Sequence, residues 1–301
     1  MWLIFAFSGP IMWALSTHID KYLVEKYFKE SDTAVLLVFT ALIGLLMLPF
    51  ILYFHPETFS LPFASIAVMA ASGAAYMAAM LFYLRALQSE EASVVAPLFQ
   101  ASTIFTFALG FLVLGETISP VNGFGVALIV AGALLLSFHR GTGLRGFKPR
   151  LLLLMLAATF VLALSTVLFK FFALREEFWT TTFWVYAGEA AFGLGILCIP
   201  RYWRQFLALL KTNTAALLSL NAANELINLG GGLGVRFASL LAPVVIVSAI
   251  SSTTTLFVFG FGVVLTVFFP KLARENLSRP DLFKKVSAAL IVALGVFLAN
   301  V

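Results

Sequence analysis

Apolar residues run in ten stretches of near membrane-spanning length, separated by short polar breaks, at about 2–22, 33–54, 62–86, 92–114, 120–138, 151–173, 179–199, 214–235, 239–268 and 282–300. Crossing a hydrocarbon core of about 30 Å takes roughly 20 mostly apolar residues as a helix. Several breaks carry helix-start chemistry. Ser119-Pro120 and Ser278-Arg279-Pro280 place a proline near a first helical turn, after a serine able to cap it. The richest break, His139 to Arg150, holds three glycines, Pro149 and four basic residues, and divides the ten stretches into five and five. The pattern predicts an all-α polytopic membrane protein of ten transmembrane helices, with no soluble domain.

Composition agrees. The 301 residues are 61% hydrophobic and 11% charged, and mean hydropathy is +1.03, against roughly 45–50% apolar and 25% charged in a soluble domain. The N-terminus is apolar from Trp2 onward without a basic leader, so it is expected to be the first span and not a removable signal. The lone cysteine, Cys198, excludes a disulfide framework and a thiolate metal cluster. The net charge of +5 makes no case for nucleic acid.

The positions of the charges say more than their sum. Of the 19 Lys and Arg residues, all but Lys170, Arg175 and Arg236 fall in the odd-numbered loops. The bias of basic residues to the cytoplasmic side then predicts cytoplasmic odd loops and both termini outside.

The two halves also echo one another. Ala14-Leu15-Ser16-Thr17 returns as Ala163-Leu164-Ser165-Thr166, with Lys21 falling opposite Lys170. Ala92-Ser93-Val94-Val95-Ala96-Pro97 returns as Ala238-Ser239-Leu240-Leu241-Ala242-Pro243, and Ala127-Leu128-Ile129-Val130-Ala131 as Ala289-Leu290-Ile291-Val292-Ala293. Three matches in one order predict two repeats, residues 1–140 and 151–301, joined by a basic loop over 141–150. Five spans per unit force the second copy to enter the membrane inverted. Such repeats are a transporter architecture with its site near the midplane.

The five-plus-five repeat, the Ala-Ser-Val-Val-Ala-Pro run opening span 4, and Gly115-Glu116 ending it together resemble the EamA-type ten-helix members of the drug/metabolite transporter superfamily. The resemblance covers nearly the full length. It implies alternating-access transport of small metabolites through a central cavity lined by helices of both halves. Phe269-Pro270-Lys271 stands where the second half would repeat the Gly-Glu pair, and the charge bias sets the termini outside where well-known relatives keep theirs in the cytoplasm. A prokaryotic inner or plasma membrane is the expected setting.

Polar residues inside the spans are the candidates for function, because a charge near the bilayer centre costs several kcal/mol unless it faces an interior or a wet cavity. Asn221, Asn224, Glu225 and Asn228 stand at i, i+3, i+4 and i+7, one helical face of span 8. Glu225 suits a proton carrier or a partner for a substrate ammonium; the plainer alternative is a neutral acid in an amide network joining helices. Glu189 lies near the middle of span 7, with Tyr186 as its one evident polar neighbour. With Arg85 set against Arg236, Glu225 falls opposite Ala74, so the first half offers no matching acid. Glycines 230–232 and 234 permit close packing or local unwinding.

Span 9 adds Ser248, Ser251, Ser252, Thr253, Thr254 and Thr255, and span 4 adds Gln100, Ser102 and Thr103; such hydroxyls most often bond back to their own helix. Lys21 and Arg85 near one membrane face, and Lys170 and Arg236 near the other, are candidate anion contacts. The favoured expectation for them is snorkelling, stem in hydrocarbon and charge in water. Glu116 is expected to serve the N-terminus of span 5.

These features favour a secondary active transporter for a small polar metabolite, proton-coupled through Glu225 or running down a gradient. The alternative is a flippase for a phosphorylated or lipid-linked anion. An intramembrane enzyme is disfavoured, since no His-Glu-x-x-His or Gly-x-Ser-x-Gly occurs and the three histidines are scattered. No cofactor or metal is expected. The expected partners are a small-molecule substrate, protons and the bilayer, in a monomer or homodimer.

Overall fold

The computed structural model describes residues 2–27, 32, 34–89, 101–137, 149–212, 214–268 and 279–299, and over these the chain is helical without strands. Helices occupy all ten predicted stretches: α1 (Trp2–Tyr27), α2 (Ala34–Phe54), α3 (Phe63–Ser89), α4 (Ala101–Leu109, continued by a π turn over Gly110–Leu114), α5 (Pro120–Ser137), α6 (Pro149–Ala173), α7 (Phe178–Leu197), α9 (Thr214–Leu241), α10 (Val244–Ser251) with α11 (Thr254–Phe268), and α12 (Arg279–Leu298). Five described stretches are long and apolar enough to cross a membrane by themselves, and several shorter apolar helices accompany them. The protein is an all-α polytopic membrane protein.

Two departures from the predicted spans have physical causes. Span 9 is broken. Pro243 has no N–H to give, so the preceding helix runs on to Leu241 and a new one starts at Val244. A further turn at Ser252–Thr253 separates α10 from α11. The second departure lies in the charged stretch after span 7, read from the sequence as a loop. It forms a 13-residue helix, α8 (Pro200–Thr212), turned 96° from α7.

Helix pairing has the order that an exchange of halves would give. Exchange maps α1 to α6, α2 to α7, α3 to α9, α4 to α10–α11 and α5 to α12. The observed α1–α9 contact then corresponds to α6–α3, and α4–α6 to α1 with α10–α11, while α2–α7 and α5–α12 map onto themselves. The pairs are not all equal: among the described residues α3 packs extensively on α7, but its counterpart α9 meets α2 over a much smaller area.

Small residues set the close pairs. At the α3–α7 crossing a Cβ on Gly73 would sit 2.0 Å from the Val185 carbonyl oxygen, and one on Gly188 would sit 1.8 Å from that of Ala70. Only backbone fits there. The glycines of α9 play the same part against α1, where Cβ atoms at Gly234 and Gly231 would meet Ser8 Oγ at 1.9 Å and Gly9 Cα at 3.3 Å. The helix continues through them, so close packing, and not unwinding, accounts for this glycine run.

Candidate functional site

The polar stripe of α9 faces into the protein. Asn221, Asn224 and Glu225 are buried, with relative exposures of 2%, 0% and 8%, and Asn228 is half-buried. Their i, i+3, i+4 spacing makes this one surface of the helix. At its edge Thr40 of α2 donates its hydroxyl to Glu225 Oε1 at 3.0 Å, so the acid meets a first-half helix at the small α2–α9 seam. Among the described residues Asn221 Nδ2 is buried without a hydrogen-bond acceptor, and a buried unsatisfied donor costs about 1–3 kcal/mol.

One face of α7 carries Tyr186 and Glu189, both buried. Arg236 of α9 donates from Nη2 to Glu189 Oε1 at 2.9 Å, and its guanidinium lies 4.8 Å from the Tyr186 ring centroid and 5.1 Å from that of Phe169. The second arm, Nη1, is buried with no acceptor among the described residues. Arg236 is thus held inside the protein by a carboxylate and two ring faces, where the sequence suggested a snorkelling cation at a membrane mouth. Glu225 and Arg236 are eleven residues apart, about 16 Å along the helix axis. Tyr76 of α3 lies near enough to Glu189, Arg236, Tyr186 and Glu225 to feel their charges.

Lys170 departs from snorkelling in the same way. It is 5% exposed, forms an ion pair with Glu116, and donates to the Ala242 carbonyl at 2.7 Å. Glu116 Oε2 in turn accepts from Val244 N at 2.8 Å. The two charges clasp the break at Pro243, the cation on the carbonyl end of α9 and the anion on the amide end of α10, each matched to the local helix dipole. Glu116 therefore serves the N-terminus of α10, and not that of the span following it. Gly115, at φ 66°, supplies the left-handed residue that closes the π turn and sends Glu116 back toward α10.

The remaining candidates divide. Ser252 is buried and bonds back to the Ala249 carbonyl at 2.6 Å, within its own helix. Thr103 meets Ser248, hydroxyl to hydroxyl, at 3.3 Å across α4 and α10. Arg85 is exposed and donates to the Tyr202 hydroxyl of α8 at 3.2 Å. Lys21 belongs to α1, but its side chain lies outside the described residues, as does the whole of Gln100. Sequence reading passed over Thr40 and Tyr76. Thr40 is a lone hydroxyl among apolar neighbours, and Tyr76, though Ser72 and Tyr83 share its helix, has no acid or amide beside it to single it out as α9 does. A groove of about 430 Å³ between α1, α11 and α12 is apolar, lined by residues such as Phe7, Leu256 and Val292, and includes none of this polar set.

The comparisons with known proteins fit this picture. A model described as the EamA-like transporter family matches residues 1–138. That match covers a little less than half of the chain. Over 69 residues the chain is 46% identical to an uncharacterized transporter in the cobO 3′ region of Sinorhizobium sp, covering 23% of this chain and spanning about half, 49%, of that relative. It also superposes on a protein of known crystal structure with a TM-score of 0.66 and 14% identity, covering 98% of this chain and 95% of that one. That likeness shows a shared fold.

Proposed function

We propose that this protein is a secondary active transporter that moves a small polar metabolite by alternating access, with protons coupled through Glu225. The observation that carries the reading is the buried Glu225, hydrogen-bonded across to Thr40 at the α2–α9 seam, a much smaller contact than its counterpart α3–α7. A carboxyl at an interhelical seam can take a proton or a substrate ammonium when the seam opens, and can return to Thr40 when it closes. Asn221 and Asn224 supply amide groups on the same face for a hydrogen-bonding cargo. Inverted repeats carry substrate near the midplane between the two halves, and in sequence this stripe falls at the middle of the apolar stretch 214–235. The working orientation is odd loops in the cytoplasm of a prokaryotic plasma membrane, following the basic-residue bias.

The alternative anionic cargo keeps one specific support: the unpartnered Nη1 of Arg236. Lys170 supports it less, being occupied by Glu116 and the Ala242 carbonyl.

A panel of small metabolites scored by thermal shift tests both readings, because a ligand that binds only the folded state raises its apparent stability. Polar or zwitterionic compounds should shift wild type, with the shift much reduced in Glu225→Gln. In proteoliposomes loaded with the best compound, flux should follow an imposed pH gradient in wild type and lose that dependence in Glu225→Gln. Flux with unchanged pH dependence in the variant would end the proton-carrier role. Shifts confined to anions and abolished by Arg236→Met would favour the second reading.

A further inference from the structure

The helix that sequence reading missed, α8, has three distinct sides. Tyr202, Phe206 and Leu209 turn inward. Phe206 and Leu209 are buried against Leu23 and the start of α2, with Phe206 5.3 Å from the Phe39 ring. Arg201, Arg204, Ala208 and Lys211 recur at i, i+3, i+7 and i+10 and are all exposed, a single stripe that is cationic except for one alanine. Between these two sides stand Trp203, which is 45% exposed, and the half-buried Leu207 and Leu210. The helix contains no acidic residue.

The placement of α8 is fixed from several directions. Its axis turns 96° from α7, so it runs across the spans where they end and not along them. Asp32, just before α2, donates its backbone N–H to Gln205 Oε1 at 3.2 Å and stands 3.8 Å from Arg201. Arg85, exposed at the end of α3, reaches Tyr202. The last tie brings the exposed Arg85 guanidinium against α8 at the Tyr202 hydroxyl, adding a fourth cation beside this helix.

From this we infer that α8 is an in-plane interfacial helix whose Arg201, Arg204 and Lys211 stripe, assisted by Arg85, binds the phosphate headgroups of anionic phospholipids. The Trp203–Leu207–Leu210 side selects a bilayer over a soluble anionic partner. A tryptophan with leucines beside it sits at the boundary of headgroup and acyl chain, with long basic side chains reaching phosphates at its flank. Basic residues close to an anionic leaflet each add attraction that falls off within a Debye length. The inference does not depend on what the transporter carries.

The test compares wild type with Arg201→Gln/Arg204→Gln/Lys211→Gln in detergent, titrated with phosphatidylglycerol, with phosphatidylcholine of the same acyl chains, or with inorganic phosphate. Thermal unfolding midpoint and lipid retained in native mass spectrometry are the readouts. Phosphatidylglycerol should raise the wild-type midpoint and be retained more than phosphatidylcholine. The triple variant should bind it at least about tenfold more weakly, keep the phosphatidylcholine response, and lose the preference that 0.5 M salt also erodes. Equal responses to the two lipids, an undiminished preference in the variant, or reproduction of the shift by inorganic phosphate would overturn the inference. Should the triple variant fail to fold, the difference in brominated-lipid quenching between wild type and Trp203→Phe decides. Stronger quenching by brominated phosphatidylglycerol supports the site, and equal quenching rejects it.

Discussion

The α3–α7 crossing and the α2–α9 seam occupy matching places in the two halves, yet they are built from opposite materials. At α3–α7 two glycines let backbone touch backbone, and a Cβ at either would press within 2.0 Å of a carbonyl oxygen. At α2–α9 the contact is small and polar, with Thr40 on Glu225 and amides alongside. An interface of interlocked backbone gains dispersion from every atom pair and leaves no room for cargo. An interface of hydroxyl, amide and carboxyl gains little beyond replaceable hydrogen bonds, each worth about 0.5–1.5 kcal/mol net. In an alternating-access transporter, the second kind of contact can open at low cost and offer its groups to a substrate. The pseudo-symmetric frame therefore has a dry side and a polar side in the conformation seen here.

The largest expected effect comes from the group that ties α9 to the α7 of the dry crossing. Arg236→Met leaves Glu189 buried without its partner and should cost about 3–5 kcal/mol in unfolding free energy. The double variant Glu189→Gln/Arg236→Met should recover most of that loss. If the single variant is as stable as wild type in denaturant titrations, the pair does not organise this region.

Next in size is Gly188→Val, which drives a side chain into the Ala70 carbonyl. It should destabilise by about 1–3 kcal/mol through overpacking, whereas Asn224→Ala on the polar side should alter transport more than stability. Equal stability losses at the two would erase the contrast between them. Thr40→Val removes one neutral hydrogen bond and should cost roughly 0.5–1.5 kcal/mol, with flux changed in the same preparation.

The smallest effect lies in the turn beside one end of the dry crossing. There the turn over Pro56–Phe59 docks on α7 through a Trp184 Nε1 bond to the Thr58 carbonyl, at 3.0 Å. A backbone hydrogen bond, and then His55 at 3.0 Å, hold the exposed Glu57 carboxyl below its ordinary range. A depressed carboxylate favours the folded state above its unfolded pKa of about 4.3 and loses that favour as pH falls through the folded value. Glu57→Gln should lower stability slightly at pH 7, leave it unchanged well below pH 4, and so flatten the acid loss, as read by thermal scans across pH.

Much of this fold could be read from the chain because lipid imposes one rule on every span. Ten apolar stretches became helices, and the polar stripe of α9 was visible because helical period places i, i+3 and i+4 together. What escaped was of two kinds. Glu189 and Arg236 are 47 residues apart, and Glu116 and Val244 are 128 apart, so no local period links them and each charge was assigned to its nearest plausible neighbour. The charges of α8 were counted for orientation while its Tyr202, Phe206 and Leu209 pattern went unread. Pro243 was noticed as a repeat marker, but its missing N–H was not followed to the broken helix that Lys170 and Glu116 clasp.

The most direct test of the polar side as the translocation surface is thiol labelling in a Cys198→Ser background, which removes the one exposed native cysteine. Asn224→Cys, Asn228→Cys and Ala74→Cys would be challenged in turn with a membrane-impermeant thiosulfonate in proteoliposomes. The account predicts that the two α9 positions react, and that Ala74→Cys, on the α3 face of the dry crossing, reacts at least about tenfold more slowly. Labelling of Ala74→Cys at the rate of the α9 positions, or inert thiols at both 224 and 228, would contradict it.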